Sequence, residues 1–149
     1  MTLDALSWHR TSVGSASASF TNFKIYLGHG ASDELGNTFE DNYIVGTKVL
    51  VYESSAVTLT ANPEEWVTLD LDTPFDYNGT DNLIMEINWS GGSGTFYTYK
   101  WQTGTNRCLT AANPSLPTGS LSSQMCQFRL ELPLALENMT FAAIKRAFN

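Results

Sequence analysis

Charge is scarce in this chain, and positive charge is scarcer still. Asp, Glu, Lys and Arg make up 15% of the residues, against roughly 25% in an average soluble domain. Eight basic side chains face fifteen acidic ones, for a formal net charge of −7. A nucleic-acid binder needs clustered Lys and Arg to displace counterions from phosphates. Here the basic residues are scattered singly, except for Lys145-Arg146. That spacing argues against nucleic acid as a partner and against anionic membrane surfaces. No apolar run reaches the length that crosses a bilayer, so membrane insertion is not expected. The opening residues lack the basic flank and apolar core of a signal peptide. Histidine occurs only as His9 and His29, and cysteine only as Cys108 and Cys126.

Hydroxyl and amide side chains fill the polar positions instead: 17 Thr, 14 Ser and 11 Asn. Thr suits a pleated, half-buried surface, and Ser and Asn suit turns. At 149 residues the chain fits one domain with a sizeable core. Period-2 patterning runs along it, broken by turn residues at short intervals. Strands are predicted at residues 3–9, 23–27, 48–53, 56–60, 66–71, 83–89, 95–101, 107–110 and 125–132. Small-residue loops are predicted at 12–19, from Gly28 to Gly36 and at 111–123, with Pro74 ending the fifth strand and the run 90–94 forming a hairpin turn. In the strand 83–89 the alternation puts Leu83, Met85, Ile87 and Trp89 on the core face. In the last strand it puts Cys126, Phe128, Leu130 and Leu132 there. The expected fold is all-β, a jelly-roll-like antiparallel sandwich spanning residues 1–133.

Residues 134–149 carry a different pattern. Phe141, Ile144 and Phe148 recur at helical spacing, Asn138 or Thr140 offers a cap, and Lys145-Arg146 suits the negative end of a helix dipole. A short amphipathic helix is marginal without something to cover its apolar face. Packing on its own domain and docking on a neighbouring molecule both meet that need, which makes Phe141, Ile144 and Phe148 assembly candidates.

Several residues together carry a family likeness. They are the run Phe20-Thr21-Asn22-Phe23-Lys24-Ile25-Tyr26-Leu27-Gly28-His29, then Leu35, Phe39, Asn42-Tyr43, Gly46, Trp66 and Leu71, and finally Thr73-Pro74-Phe75, Tyr77-Asn78-Gly79-Thr80 and Asn82-Leu83-Ile84. Over about Trp8 to Trp101 the chain resembles a β-sandwich module of large secreted proteins from poorly characterised bacterial lineages. The closing Glu137-Asn138-x-Thr140-Phe141…Ile144-Lys145…Phe148 is similar to the short terminal motif of such proteins. That resemblance implies export, to the extracellular space or cell surface, and a non-catalytic role. Such modules usually end a longer protein, whereas this one stands nearly alone.

Reactive side chains form no familiar constellation. There is no nucleophile-elbow pattern, no metal-binding His pair and no phosphate-cradling glycine loop. The acid pairs Glu64-Glu65 and Asp70/Asp72, together with Glu86, read as solvated loop and strand acids, since a glycosidase needs two carboxyls facing a cleft and a chain of this length has little room for one. No cofactor is expected. Calcium is the alternative, with Asp76, Asn78 and Asp81 offering oxygen ligands around a turn and Asp70 and Asp72 beside them. Turn formation by backbone hydrogen bonding explains the same residues. Cys108 and Cys126 are disulfide candidates, and a bridge between them would contribute about 3 kcal/mol in the chain-entropy model. Two buried free thiols are the other reading. Sequons stand at Asn78, Asn88 and Asn138. Tyr97, Tyr99 and Trp101 alternate along one predicted strand and so are expected to share a face. With Trp66 they would make either a stacking platform for a polysaccharide or one wall of the core.

Two functions follow as expectations. The first is an extracellular structural or adhesive module whose partner is itself, as the self-assembling subunit of a filament or layer. The second is a carbohydrate-binding module. Neither is an enzyme.

Overall fold

The computed structural model describes residues 1–133. Residues 134–149, with Phe141, Ile144 and Phe148, lie outside the described part. The described chain is all-β, built of antiparallel sheets packed together as a sandwich, with one short 3-10 turn at Glu40–Asn42. Among the described residues no helix is long and apolar enough to cross a membrane.

Two long strands organise everything else. Strand β1 (Thr2–Gly14) is central in one sheet and β2 (Ser17–Gly30) is central in the other. β1 pairs with β12 (Phe128–Glu131), β4 (Trp66–Asp76) and β7 (Phe96–Thr98). β2 pairs with β3 (Val49–Thr60), β5 (Asn82–Asn88) and β6 (Gly91–Ser93). A hairpin arm joins β7 to β12. In it β8 (Lys100–Gln102) pairs with β11 (Gln124–Cys126), and β9 (Cys108–Thr110) pairs with β10 (Ser120–Ser122).

Alternation along the central strands builds the core. Leu6 and Trp8 of β1 point inward beside Leu130 and Phe128 of β12 and Leu69 and Val67 of β4. Phe23, Ile25 and Leu27 of β2 face them, and Leu6, Ile25, Leu27 and Val51 are wholly buried. Burying side chains of that size contributes roughly 1.5–3 kcal/mol each. Arg10 also points inward and is only 2% exposed. Its guanidinium donates to the Gly14 and Ser15 carbonyls, each at 3.2 Å, and so closes the corner where β1 becomes β2.

The structure lengthens several expected strands. β1 and β2 absorb most of the predicted loop at 12–19, and β3 runs unbroken through Ser54-Ser55. Pro74 does not end β4. It sits where the register slips, Leu3 facing Phe75 but Ala5 facing Asp70, so residues 71–74 bulge out of the ladder. A bulge on an edge strand demands no N–H from proline. Gly28 and Gly30 lie within β2. A Cβ at Gly28 would come within 2.6 Å of the Tyr43 ring, so the glycine serves close approach. The predicted aromatic strand breaks at Tyr99, where the chain leaves β1 for β11. β5 ends at Asn88, and Trp89 is turned out, 47% exposed, instead of joining the core.

Replacing Gly28 by Ala is expected to cost about 1–3 kcal/mol through overpacking against Tyr43. Thermal unfolding would read this as a drop of several degrees, while Gly36→Ala would lack that clash, since the nearest atom to its added Cβ is the Asn42 side-chain oxygen at 3.7 Å.

Candidate functional site

The outward face of the β12-β1-β4 sheet carries a polar and aromatic cluster. Ser7 and His9 lie on this face of β1, with Arg129 and Gln127 on one flank and Thr68 and Trp66 on the other. The His9 ring stacks on Trp66, with centroids 4.8 Å apart and planes 8° from parallel, and touches Tyr99 at 4.7 Å. Arg129 places its guanidinium 4.6 Å from the Trp66 ring, a cation–π contact. His9 Nδ1 lies 3.2 Å from the Gln127 side-chain oxygen and Nε2 lies 3.1 Å from the Glu64 carbonyl. Tyr99 donates its hydroxyl to Glu64 at 2.6 Å, which raises the phenol above its ordinary range. Both imidazole nitrogens thus face protein oxygens, to one of which a neutral ring donates. His29 is likewise engaged, accepting the Asn78 N–H at 3.3 Å and packing against Phe75 and Tyr77.

The four expected platform aromatics do not form one row. Trp66 already carries His9 and Arg129. Tyr99 lies on His9. Tyr97 packs over Gly14, where an added Cβ would approach its ring within 2.8 Å. Trp101 leans on Phe128 of the core at 6.3 Å. Tyr97 and Trp101 stay partly exposed, at 53% and 43%, but in separate surroundings.

The acids serve different partners. Asp72 accepts the Glu53 N–H at 2.9 Å, Asp76 accepts the Thr2 hydroxyl at 2.8 Å, and Glu65 accepts the Asn62 amide at 2.9 Å. Asn78 accepts the N–H groups of Thr80 and Asp81 and donates to the Asp81 carboxylate, a self-contained Asx turn. Among the described residues no three His, Cys, Asp or Glu side chains gather as a ligand set for a metal ion. Asp76 and Asp81 each present one carboxylate oxygen to a protein donor, and Asp70 lies opposite Ala5 on β1. The Asn88 sequon amide donates to Glu86 at 3.0 Å. Cys108 and Cys126 are free thiols, both half-buried. Burial raises both above the ordinary thiol range, and the charge of Cys108 adds to the effect on Cys126.

Periodicity misses a second cluster on the outward face of β2. Lys48 bridges Glu40 at 2.5 Å and Glu86 at 2.9 Å, with its ammonium 4.8 Å from the Tyr26 ring and 4.9 Å from the Tyr43 ring. Burial opposes the Lys48 charge, but the two carboxylates outweigh it and hold the ammonium above its usual range. Burial and the Glu86 charge push the Tyr43 hydroxyl far above the phenol range, and it donates to Glu86 at 3.1 Å. The only sequence signal was the pairing of Gly28 with an aromatic fifteen residues on, which no local period reveals.

Neither a protein-family model, nor a curated protein, nor a solved structure matches the chain.

Glu131 closes the first cluster. Its carboxylate accepts the buried Ser7 hydroxyl and an Arg129 N–H at 3.1 Å. The Ser7 bond is the main reason its pKa falls below the ordinary 4.5. A depressed carboxylate adds stability above its unfolded pKa and loses it as pH falls through the folded value. Unfolding midpoints are therefore expected to decline below about pH 4.5, and Glu131→Gln should flatten that acid decline while lowering the neutral-pH midpoint. An unchanged acid limb in Glu131→Gln would remove Glu131 as its source.

Proposed function

We propose that this chain is a non-catalytic extracellular module, structural or adhesive, that assembles with copies of itself through a sheet edge. The observation that carries the reading is β3. Over its twelve residues this strand holds a single charge, Glu53, and among the described residues its sequence-order neighbour β2 is its only ladder partner. Val49 and Leu50 at its start are each 36% exposed, and the adjoining Ile44 and Val45 are 37% and 98% exposed. Long edge strands are usually blunted by Lys, Pro or inward charges, because their free N–H and C=O groups template pairing with another chain. Among the described residues β3 has one such guard, where Asp72 covers the Glu53 N–H. Pairing of β3 with an edge of a second copy would satisfy its ladder and cover the apolar patch.

The resemblance to modules of secreted bacterial proteins supports placement outside the cell. The commitment of both histidines to structural contacts supports a role without turnover. Phe141, Ile144 and Phe148 remain the second assembly element proposed from sequence.

Size-exclusion chromatography and negative-stain electron microscopy over a concentration series test the reading. The parent protein is expected to form regular oligomers, filaments or sheets. The double variant Val45→Lys, Leu50→Lys should disperse them with the sheet intact by circular dichroism, since Val45 is 98% exposed and Leu50 lies opposite Tyr26 on the outward face. Dispersed monomers from the parent at high concentration would sink self-assembly. Unchanged assembly in the double variant would sink β3 as the interface.

A further inference from the structure

Trp89 breaks the pattern of its own strand. Leu83, Met85 and Ile87 are half-buried against the core, and continued alternation would bury Trp89 with them. Instead β5 stops at Asn88 and the indole is turned outward. It is held there from behind. The Ser90 N–H donates to the Thr21 carbonyl at 3.0 Å, and Asn22, at a left-handed φ of 50°, donates to the Ser90 hydroxyl at 2.7 Å. Phe20 meets the indole edge-on, with centroids 5.7 Å apart and planes at 71°. An edge-on contact fixes a ring without covering both its faces.

The exposed indole borders an open cavity of about 310 Å³, lined by Phe20, Ser90, residues 91–94, Asn113 and Pro114. A side chain at any of the glycines on this wall would crowd β2, at two of them against backbone. A Cβ at Gly91 would meet the Thr21 hydroxyl at 2.9 Å, at Gly92 the Ser19 carbonyl at 2.6 Å, and at Gly94 the Ser17 carbonyl at 2.7 Å. Pressing β6 onto β2 therefore strips side chains from the wall and leaves its backbone accessible to a ligand. Opposite, the Asn113 side-chain oxygen accepts the Ser115 N–H and hydroxyl at 3.1 and 2.6 Å. That orientation leaves its NH2 to donate.

Among the described residues no charged side chain lines the cavity. An ionic ligand would enter it without a counter-charge, so a neutral ligand is favoured. The electron-rich face of an indole attracts weakly positive C–H groups, while Ser90, Ser93 and Asn113 offer hydroxyl and amide partners. C–H faces interleaved with hydroxyls are the chemistry of a sugar ring. The volume stands at the small end of ligand sites, which run from about 300 to 1,000 Å³, and so suits one or two rings of a longer glycan. We propose that Trp89 and the glycine-walled cavity beside it form a binding site for a neutral saccharide. The site lies apart from the β3 edge and does not depend on self-assembly.

The test uses the full chain, isotopically labelled, titrated with neutral oligosaccharides of glucose, mannose, xylose and N-acetylglucosamine. The Trp89 indole N–H, assigned through Trp89→Phe, is expected to shift saturably with at least one of them. Trp89→Ala should weaken that binding at least about tenfold, Asn113→Ala should weaken it less, and Trp101→Ala should leave it unchanged. Circular dichroism and melting of Trp89→Ala should match the parent, since the ring is outside the core. No response to any oligosaccharide in the panel, or binding undiminished in Trp89→Ala, overturns the proposal.

Discussion

A buried guanidinium fixes the corner where the chain passes from one sheet of this sandwich to the other. Arg10 lies in the interior, points the same way as Leu6 and Trp8, and bonds the carbonyls of the corner between β1 and β2. Taking an arginine out of water costs several kcal/mol unless its donors are met. Here two of the three nitrogens are, while Nη1 has no acceptor among the described residues. Charge-assisted bonds to carbonyls are stronger than neutral ones, and they act where the chain changes sheet. The constraint propagates because all six neighbouring strands of the two sheets pair with β1 or β2.

Once that corner is set, the outward faces diverge. On the β1 side, a row of His9, Trp66, Tyr99 and Arg129 covers the sheet with rings and a cation. On the β2 side, Tyr43 and Lys48 are laid over Gly28 and Tyr26. Both clusters consume their own polar groups: imidazole to carbonyl and amide, ammonium to two carboxylates, phenol to carboxylate. What stays exposed lies at margins, in the edge of β3, in the rings of Tyr97 and Trp101 and in the indole of Trp89. The proposed contact role draws on these exposed edges and rings.

The all-β class and the inward rows of β5 and the last strand were legible because alternation is a local signal. Leu83/Met85/Ile87 and Cys126/Phe128/Leu130 all face where their spacing puts them. Breaks were misread where tertiary contacts override local chemistry. Pro74 is tolerated by a bulge, Gly28 is demanded by a ring from another segment, and the aromatic run is divided at Tyr99 by a change of partner strand. The same limit governs the site. Spacing grouped Tyr97, Tyr99 and Trp101 on one face, but a strand that switches partners no longer keeps one. Trp89 was assigned to the core for the same reason, since nothing in the alternation marks the residue at which a strand ends.

The pairing of β1 with β12 sets the order in which the molecule can be completed. Ala5 stands opposite Glu131 and Trp8 opposite Phe128, so the first strand waits for the last described one. Contacts this distant in sequence make folding slow, because loop-closure entropy must be spent before they form. The β2–β3 hairpin, with partners from Ser17↔Thr60 to Leu27↔Val49, is available much earlier. During that interval the flank of β1 that β12 will cover is itself an unpaired edge, and a second nascent chain is as good a template for it as its own distant β12. The rate of closure against the rate of encounter then decides whether each molecule finishes itself or is finished by a neighbour.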